Sequence, residues 1–302
     1  MRLNGPEKFG LRVAGVMRLS SPEMPRIILV LLLLLTAICS ASAADSAPEI
    51  PFRFTDGFIC IQARVAGSGE PLNLLLDSGA GASVLDLRTA RRLKVKLGAT
   101  QKVRGVGSEA SAFHIEPFRT SAGAVELPPI PFVTDLSMAD DLCSQPIDGL
   151  IGVDFFQDRV VQIDYSRRCL RMLAPGSAAV GERLPIKFQN GIICVPVGVN
   201  DSPVRWTRLD TGCNDALHWV IPRPRARGGR AGVSIGFMTN ESDTALTGVS
   251  LGSRSMANVK TALHGRALFD GEAGLLGNGL LSQFLVTVDW RNQQVVLGDS
   301  PK

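Results

Sequence analysis

The sequence predicts a mainly β protein, all-β in class with only short helices, made of two similar halves. Three observations carry that expectation. Short runs rich in Val, Ile, Leu and Phe, such as "FICIQARV", "RVVQIDY", "IICVPVGV" and "FLVTVDW", are broken by Gly, Pro, Asn and Asp in the manner of strands and turns. The stretch "IPFRFTDGFICI" at 50–61 returns as "LPIKFQNGIICV" at 184–195, with Pro, Phe, Gly, Ile and Cys in matching places. The stretch "DGLIGVDFFQDRVVQIDY" at 148–165 aligns without a gap on "AGLLGNGLLSQFLVTVDW" at 273–290.

In chain order, the first segment is not part of that pattern. Residues 24–44, "MPRIILVLLLLLTAICSASAA", have a basic start, an apolar run and a small-residue ending. This is the layout of a secretory signal, so 1–43 is expected to be a signal peptide cut after A-S-A at 41–43. The basic segment before it is long, which leaves Met17 or Met24 as alternative starts. The apolar run is shorter than the roughly 20 residues of a spanning helix. The expectation is an exported protein, periplasmic or secreted, with an uncleaved membrane anchor as the alternative.

The repeat then divides the remainder into a domain at 46–174, a linker at 175–183 and a domain at 184–302. The small and turn-forming residues of "PGSAAVGER" suit the linker. Short helices are expected near "LDLRTARRL", 85–93, and "GLLSQF", 279–284.

Composition narrows the partners. At 45% hydrophobic and 20% charged residues the chain reads as folded and globular. The formal charge of +4 falls away with residues 1–43, leaving 27 basic against 26 acidic side chains. Nothing in that balance asks for nucleic acid or an anionic membrane. With three histidines and no Cys/His cluster, neither a metal nor a cofactor is expected.

Beyond Cys39 the chain has Cys60, Cys143, Cys169, Cys194 and Cys213, an odd set for an oxidising compartment. Cys60 and Cys194 occupy matching repeat positions and are expected to be buried thiols. If a bridge forms, Cys143 with Cys169 is the expected pair, both lying late in the first half.

About 20 residues after each repeat start comes an aspartate in a turn: "NLLLDSGA" at Asp77 and "TRLDTGC" at Asp210. A buried unpaired carboxylate is costly, so each turn needs a reason. Two such turns from related halves would set two carboxyls side by side, unable to ionise together and sharing one proton. One could then take a proton from water while the other hydrogen-bonds a carbonyl oxygen.

These motifs resemble those of the aspartic peptidases. Each half is similar in size and motif content to a retropepsin, and the pairing of two halves in one chain is similar to the bilobed pepsin arrangement. The motif is Asp-Ser/Thr-Gly after an apolar strand, followed later by an apolar-apolar-Gly strand. Here these are Asp77-Ser78-Gly79-Ala80 with Leu150-Ile151-Gly152, and Asp210-Thr211-Gly212-Cys213 with Leu275-Leu276-Gly277. The resemblance implies two retropepsin-like β lobes, a catalytic dyad of Asp77 and Asp210, and turn support from Ser78, Gly79, Thr211 and Gly212. It also implies a flap at Gly105, Val106, Gly107 and Ser108, a protein or peptide substrate, and a monomer. Tyr165 is the single tyrosine, so the flap tyrosine of pepsins has no counterpart.

Several features stand outside this reading. Arg208 lies two residues before Asp210, on the same face of a strand. It either sits close enough to favour ionised Asp210 or points to solvent. The matches to G-x-S-x-G at 232–236 and 248–252, with Asp243 beyond the first and His264 beyond both, raise a serine esterase as a remote alternative, although no helix is expected after either serine. A catalytically silent retropepsin-fold peptide-binding protein is the other. His114 and His218 read as packing residues, and "PRPRARGGR", 222–230, as a solvated loop.

Overall fold

Two Asx-Gly turns set the first hairpin of each half. Asp56 and Gly57 have φ of 57° and 83°, and Asn190 and Gly191 have φ of 51° and 78°. Positive φ at both central residues gives the turn whose twist matches that of paired strands. The turns join Glu49–Thr55 to Phe58–Val65 and Lys187–Gln189 to Ile192–Val199. The computed structural model describes residues 47–65, 70–104, 109–221, 230–233 and 239–300. The expected signal peptide at 1–43, Cys39, the flap candidate at 105–108 and the basic stretch up to Gly229 lie outside the described residues.

From these hairpins both halves continue alike. Leu72–Leu76 runs antiparallel to Phe58–Val65, and Arg205–Asp210 antiparallel to Ile192–Val199. Each of these strands ends at an aspartate turn. The chain then runs out through Val84–Asp86 in one half and Leu217–Val220 in the other. A late strand inserts between: Gly149–Ile151 pairs parallel to Leu72–Leu76 and antiparallel to Val84–Asp86. Gly274–Gly277 does the same with Arg205–Asp210 and Leu217–Val220. Enclosed strands of this kind must be apolar on both faces, and "LNLLL" is buried at every position except the half-exposed Asn73.

The halves are sewn together by strands. A 15-stranded sheet holds the first-half strands together with Glu182–Pro185, Phe284–Asp289 and Gln294–Asp299. The seam is the antiparallel pair of Val160–Asp164 with Phe284–Asp289. The other second-half strands form an 8-stranded sheet. One apolar core runs through both halves, with Ile61, Leu76, Ile163, Leu209, Val286 and Val288 among its buried members. The described fold is mainly β, and its helices are short. Leu87–Arg92 is capped by the Asp86 carboxylate, which accepts from the Arg88 N–H, and Asn278–Leu281 follows the late strand.

The cysteines follow expectation except at Cys60. Among the described residues there is no disulfide. Cys169 opens a strand paired with Val160–Asp164, while Cys143 packs at the edge of a separate cluster around Phe58 and Leu75. Lying in one half does not bring two residues to one place. Cys194 is buried as expected, and burial pushes its thiol up to about 12. Cys60 is only half-buried, because it faces a small pocket shared with Arg53 and Ser144.

Candidate active site

The two aspartate turns meet face to face. Each strand delivers its carboxyl at its end, and the glycine two residues on lets the opposite turn approach. A Cβ on Gly79 would lie 2.6 Å from Asp210 Cγ, and one on Gly212 would lie 2.4 Å from Asp77 Cγ. No side chain fits at either place, which is why both turns carry glycine.

Four hydrogen bonds lock the turns in register. Ser78 Oγ donates to the Leu209 carbonyl at 2.7 Å, and Thr211 Oγ1 donates to the Leu76 carbonyl at 2.8 Å. In return, the Thr211 N–H donates to Ser78 Oγ at 3.0 Å and the Ser78 N–H to Thr211 Oγ1 at 2.9 Å. Both hydroxyl residues are fully buried, so each group is satisfied only by the other half.

Asp77 and Asp210 are themselves buried, each 4% exposed, at the floor of a cleft of about 500 Å³. Asp77 Oδ1 accepts from the N–H groups of Gly79 and Ala80, both at 3.0 Å. Asp210 Oδ1 accepts from the Gly212 N–H at 2.9 Å. Burial, then the charge of Asp210, pushes the Asp77 carboxyl well above the usual carboxylate range. Burial also raises Asp210, but Arg208, then the Gly212 N–H, hold it back. The two carboxyls therefore sit in unequal surroundings, with Arg208 weighing on Asp210 more than on Asp77.

Arg208 is not at a solvent edge. It is 5% exposed and forms a bidentate ion pair with Glu272, Nε to Oε2 and Nη2 to Oε1, both at 2.7 Å. Its Nη1 donates to the Gly79 carbonyl at 2.8 Å, and the Phe269 ring lies 3.3 Å from its guanidinium carbon. Glu272 was not singled out in the sequence. Carried one residue back, the gap-free alignment of 148–165 on 273–290 pairs it with Ile147, and the alignment of the two aspartate turns pairs Arg208 with Leu75. Two opposite charges at aligned apolar positions were the available signal.

Two further polar groups support the second turn. Asn278 Nδ2 donates to the carbonyls of Thr211 and Gly57, and its Oδ1 accepts from Tyr165 Oη at 2.8 Å. Behind Asp210, His218 contacts Asp215 Oδ2 at 3.0 Å through Nε2 and His264 Nε2 at 2.9 Å through Nδ1. His218 is thus a buried, hydrogen-bonded packing residue. His114 contacts Gln101 at 2.9 Å and stacks edgewise on Phe132.

The esterase alternative has no structural counterpart at 248–252. Ser250 lies within the strand Thr239–Leu251, which turns directly into Arg254–His264 with no helix. A nucleophile elbow needs a strand-to-helix turn. The stretch 232–236 lies partly outside the described residues.

A family model described as aspartyl protease matches residues 61–155, a span that contains the Asp77 turn and its late strand. No curated protein matches the chain. Among solved structures, the chain is similar to the aspartic proteinase from Irpex lacteus, with 12% identity and a TM-score of 0.52. That alignment covers 84% of this chain and 98% of the other. The chain therefore carries an aspartyl protease family match in its first half, and its fold is similar to that of an aspartic proteinase.

Proposed function

We propose that the protein is an aspartic endopeptidase, exported and active as a monomer, in which water is activated between Asp77 and Asp210. The observation that carries this reading is the meeting of two buried carboxyls, from two crosslinked turns, at the floor of one cleft. The first-half family match and the fold of the structural neighbour support it.

In the resting pair Asp77 holds the proton and Asp210 is ionised. Asp210 takes a proton from the bound water as its oxygen attacks the peptide carbonyl carbon. Asp77 meanwhile hydrogen-bonds the carbonyl oxygen and protonates it as the tetrahedral intermediate forms. Collapse breaks the C–N bond: the proton taken by Asp210 passes to the leaving amine, while Asp77 takes back a proton from a diol hydroxyl as the carbonyl re-forms. Proton sharing of this kind is general to aspartic-protease dyads. Because burial raises both carboxyls, the singly protonated state persists above the ordinary carboxylate range. The activity profile is therefore a bell at mildly acidic to near-neutral pH.

The test is digestion of a peptide library by the purified protein, read by mass spectrometry, beside Asp77→Asn and Asp210→Asn. Both variants are expected to fold and to lose at least about a thousandfold in kcat, with chelators leaving the wild-type rate unchanged. Wild-type turnover in either variant would reject the two-carboxyl mechanism. Intact peptides with measurable binding would indicate a silent peptide-binding protein instead.

A further inference from the structure

Arg208 and Glu272 form a buried ion pair where the first half has Leu75 and Ile147. Those two are buried in one apolar cluster with Phe58, Leu136 and Leu150. The same architecture is therefore built without charge at the matching positions. A buried ion pair is seldom more stabilising than an apolar pair of similar volume. Stability gives no reason for the charges, and their location gives one.

The Arg208 guanidinium is held on four sides: two oxygens of Glu272, the Gly79 carbonyl and the Phe269 ring. It cannot swing away from the dyad. It shares a strand face with Asp210, and the carbonyl it grips belongs to Gly79, the residue packed directly on the Asp210 carboxyl. Asp77 Oδ1 is already occupied by two N–H donors, so a proton on that carboxyl belongs on Oδ2.

We propose that Arg208, clamped by Glu272, is a positioning residue that keeps the shared proton on Asp77 and leaves Asp210 as the base toward water. This rests on the dyad reading above and deepens it. Arg208 has the larger effect on Asp210: it is the foremost influence lowering that carboxyl and only a minor one on Asp77.

Other charges face the same groups. Cys194 is the cross-strand partner of Arg208, and Lys187 is that of Cys194. On the far side of Asp210 stand Cys213, Asp215 and His218, and Asp270 lines the cleft.

The proposal makes two substitutions act in opposite directions. Glu272→Gln removes the anion that balances Arg208, so both dyad ionisations should fall, by roughly one pH unit. The double variant R208L/E272I imports the first-half pair, so they should rise by a similar amount and the preference for Asp77 should weaken. The double variant also guards against simple unfolding, because it replaces the ion pair with the apolar pair that the other half already packs.

The experiment is a carbon-13 NMR titration of aspartate-labelled full chain, with Asp77→Asn and Asp210→Asn used for assignment. The expected result is a split pair in the wild type, Asp210 ionising first, with opposite displacements in the two variants. The acid limb of the kcat/KM profile should move with them. Displacement of both variants in one direction, or of neither, would overturn the proposal even if peptides are cleaved. Opposite displacements without any peptide cleavage would uphold it and reject the hydrolytic reading.

Discussion

The two halves repeat one backbone around two different electrostatic settings. At Asp77 the approaching strand is "LNLLL", and the carboxyl sees two N–H donors on one oxygen. At Asp210 the strand is "RWTRL", and the carboxyl sees one N–H and a buried guanidinium. Further on, Val84 of the first half, opposite Leu150, matches His218 of the second, opposite Leu275, and His218 carries Asp215 and His264 with it. The pairing of late strand and aspartate strand keeps the same register in both, Leu150 opposite Leu75 and Leu275 opposite Arg208. Duplication supplies geometric symmetry, and side chains near each turn break it. An acid and a base can then come from two copies of the same turn.

The largest expected difference lies at the matched pair Leu75 and Arg208. Leu75→Ala should leave a cavity beside Phe58 and Leu150 and cost about 2–5 kcal/mol of stability, read by urea denaturation, with no displacement of the pH profile. Arg208→Ala should destabilise by a similar amount, because Glu272 is left buried and unbalanced, and should displace the profile as well. If Leu75→Ala moved the profile equally, packing rather than charge would set the dyad.

The histidines sharpen the comparison through acid stability. Burial, then the charge of His218, lowers His264 from 6.5 to about 4. Between those values the unfolded chain binds a proton that the folded chain refuses. The His264 contribution to stability should therefore fall as pH drops from about 6.5 to about 4, by about 3 kcal/mol, and itself level off below. His264→Leu should remove most of that loss, measured as the change in urea midpoint between neutral and acidic buffer. The Asp215 carboxyl is held below its ordinary range, chiefly by its hydrogen bond with His218, so its contribution is also lost on acidification. An unchanged acid loss in His264→Leu would place the sensitivity elsewhere.

The smallest difference is expected where symmetry is most complete. Ser78→Ala and Thr211→Ala each strip a donor from one buried carbonyl and an acceptor from one buried N–H. Each should cost about 1–3 kcal/mol, and the two losses should agree. A large inequality would show that the turns do not bear equally on each other.

Much of this was legible in the sequence, for identifiable reasons. The Asp-Gly and Asn-Gly turns, the aspartate turns and the late strands recur at fixed spacing, so local chemistry and repetition point to the same places. The helix at Leu87–Arg92 was readable because Asp86 caps it. The partner of Arg208 was not, because Glu272 is 64 residues away and meets it only when the late strand inserts. The different surroundings of Cys143 and Cys169 were hidden on the same ground: separation along the chain says little about distance across a sheet. Asn278 was not singled out in the sequence, yet its three hydrogen bonds tie the Asp210 turn to Gly57 and Tyr165.

The most direct test of the account is the rate of peptide cleavage from about pH 3 to about pH 8 for the wild type, Asp77→Asn and Asp210→Asn. The account predicts a bell centred in the mildly acidic to near-neutral range for the wild type and flat baselines for both variants. A wild-type profile confined to strongly acidic pH, or a variant that retains a bell, would contradict it.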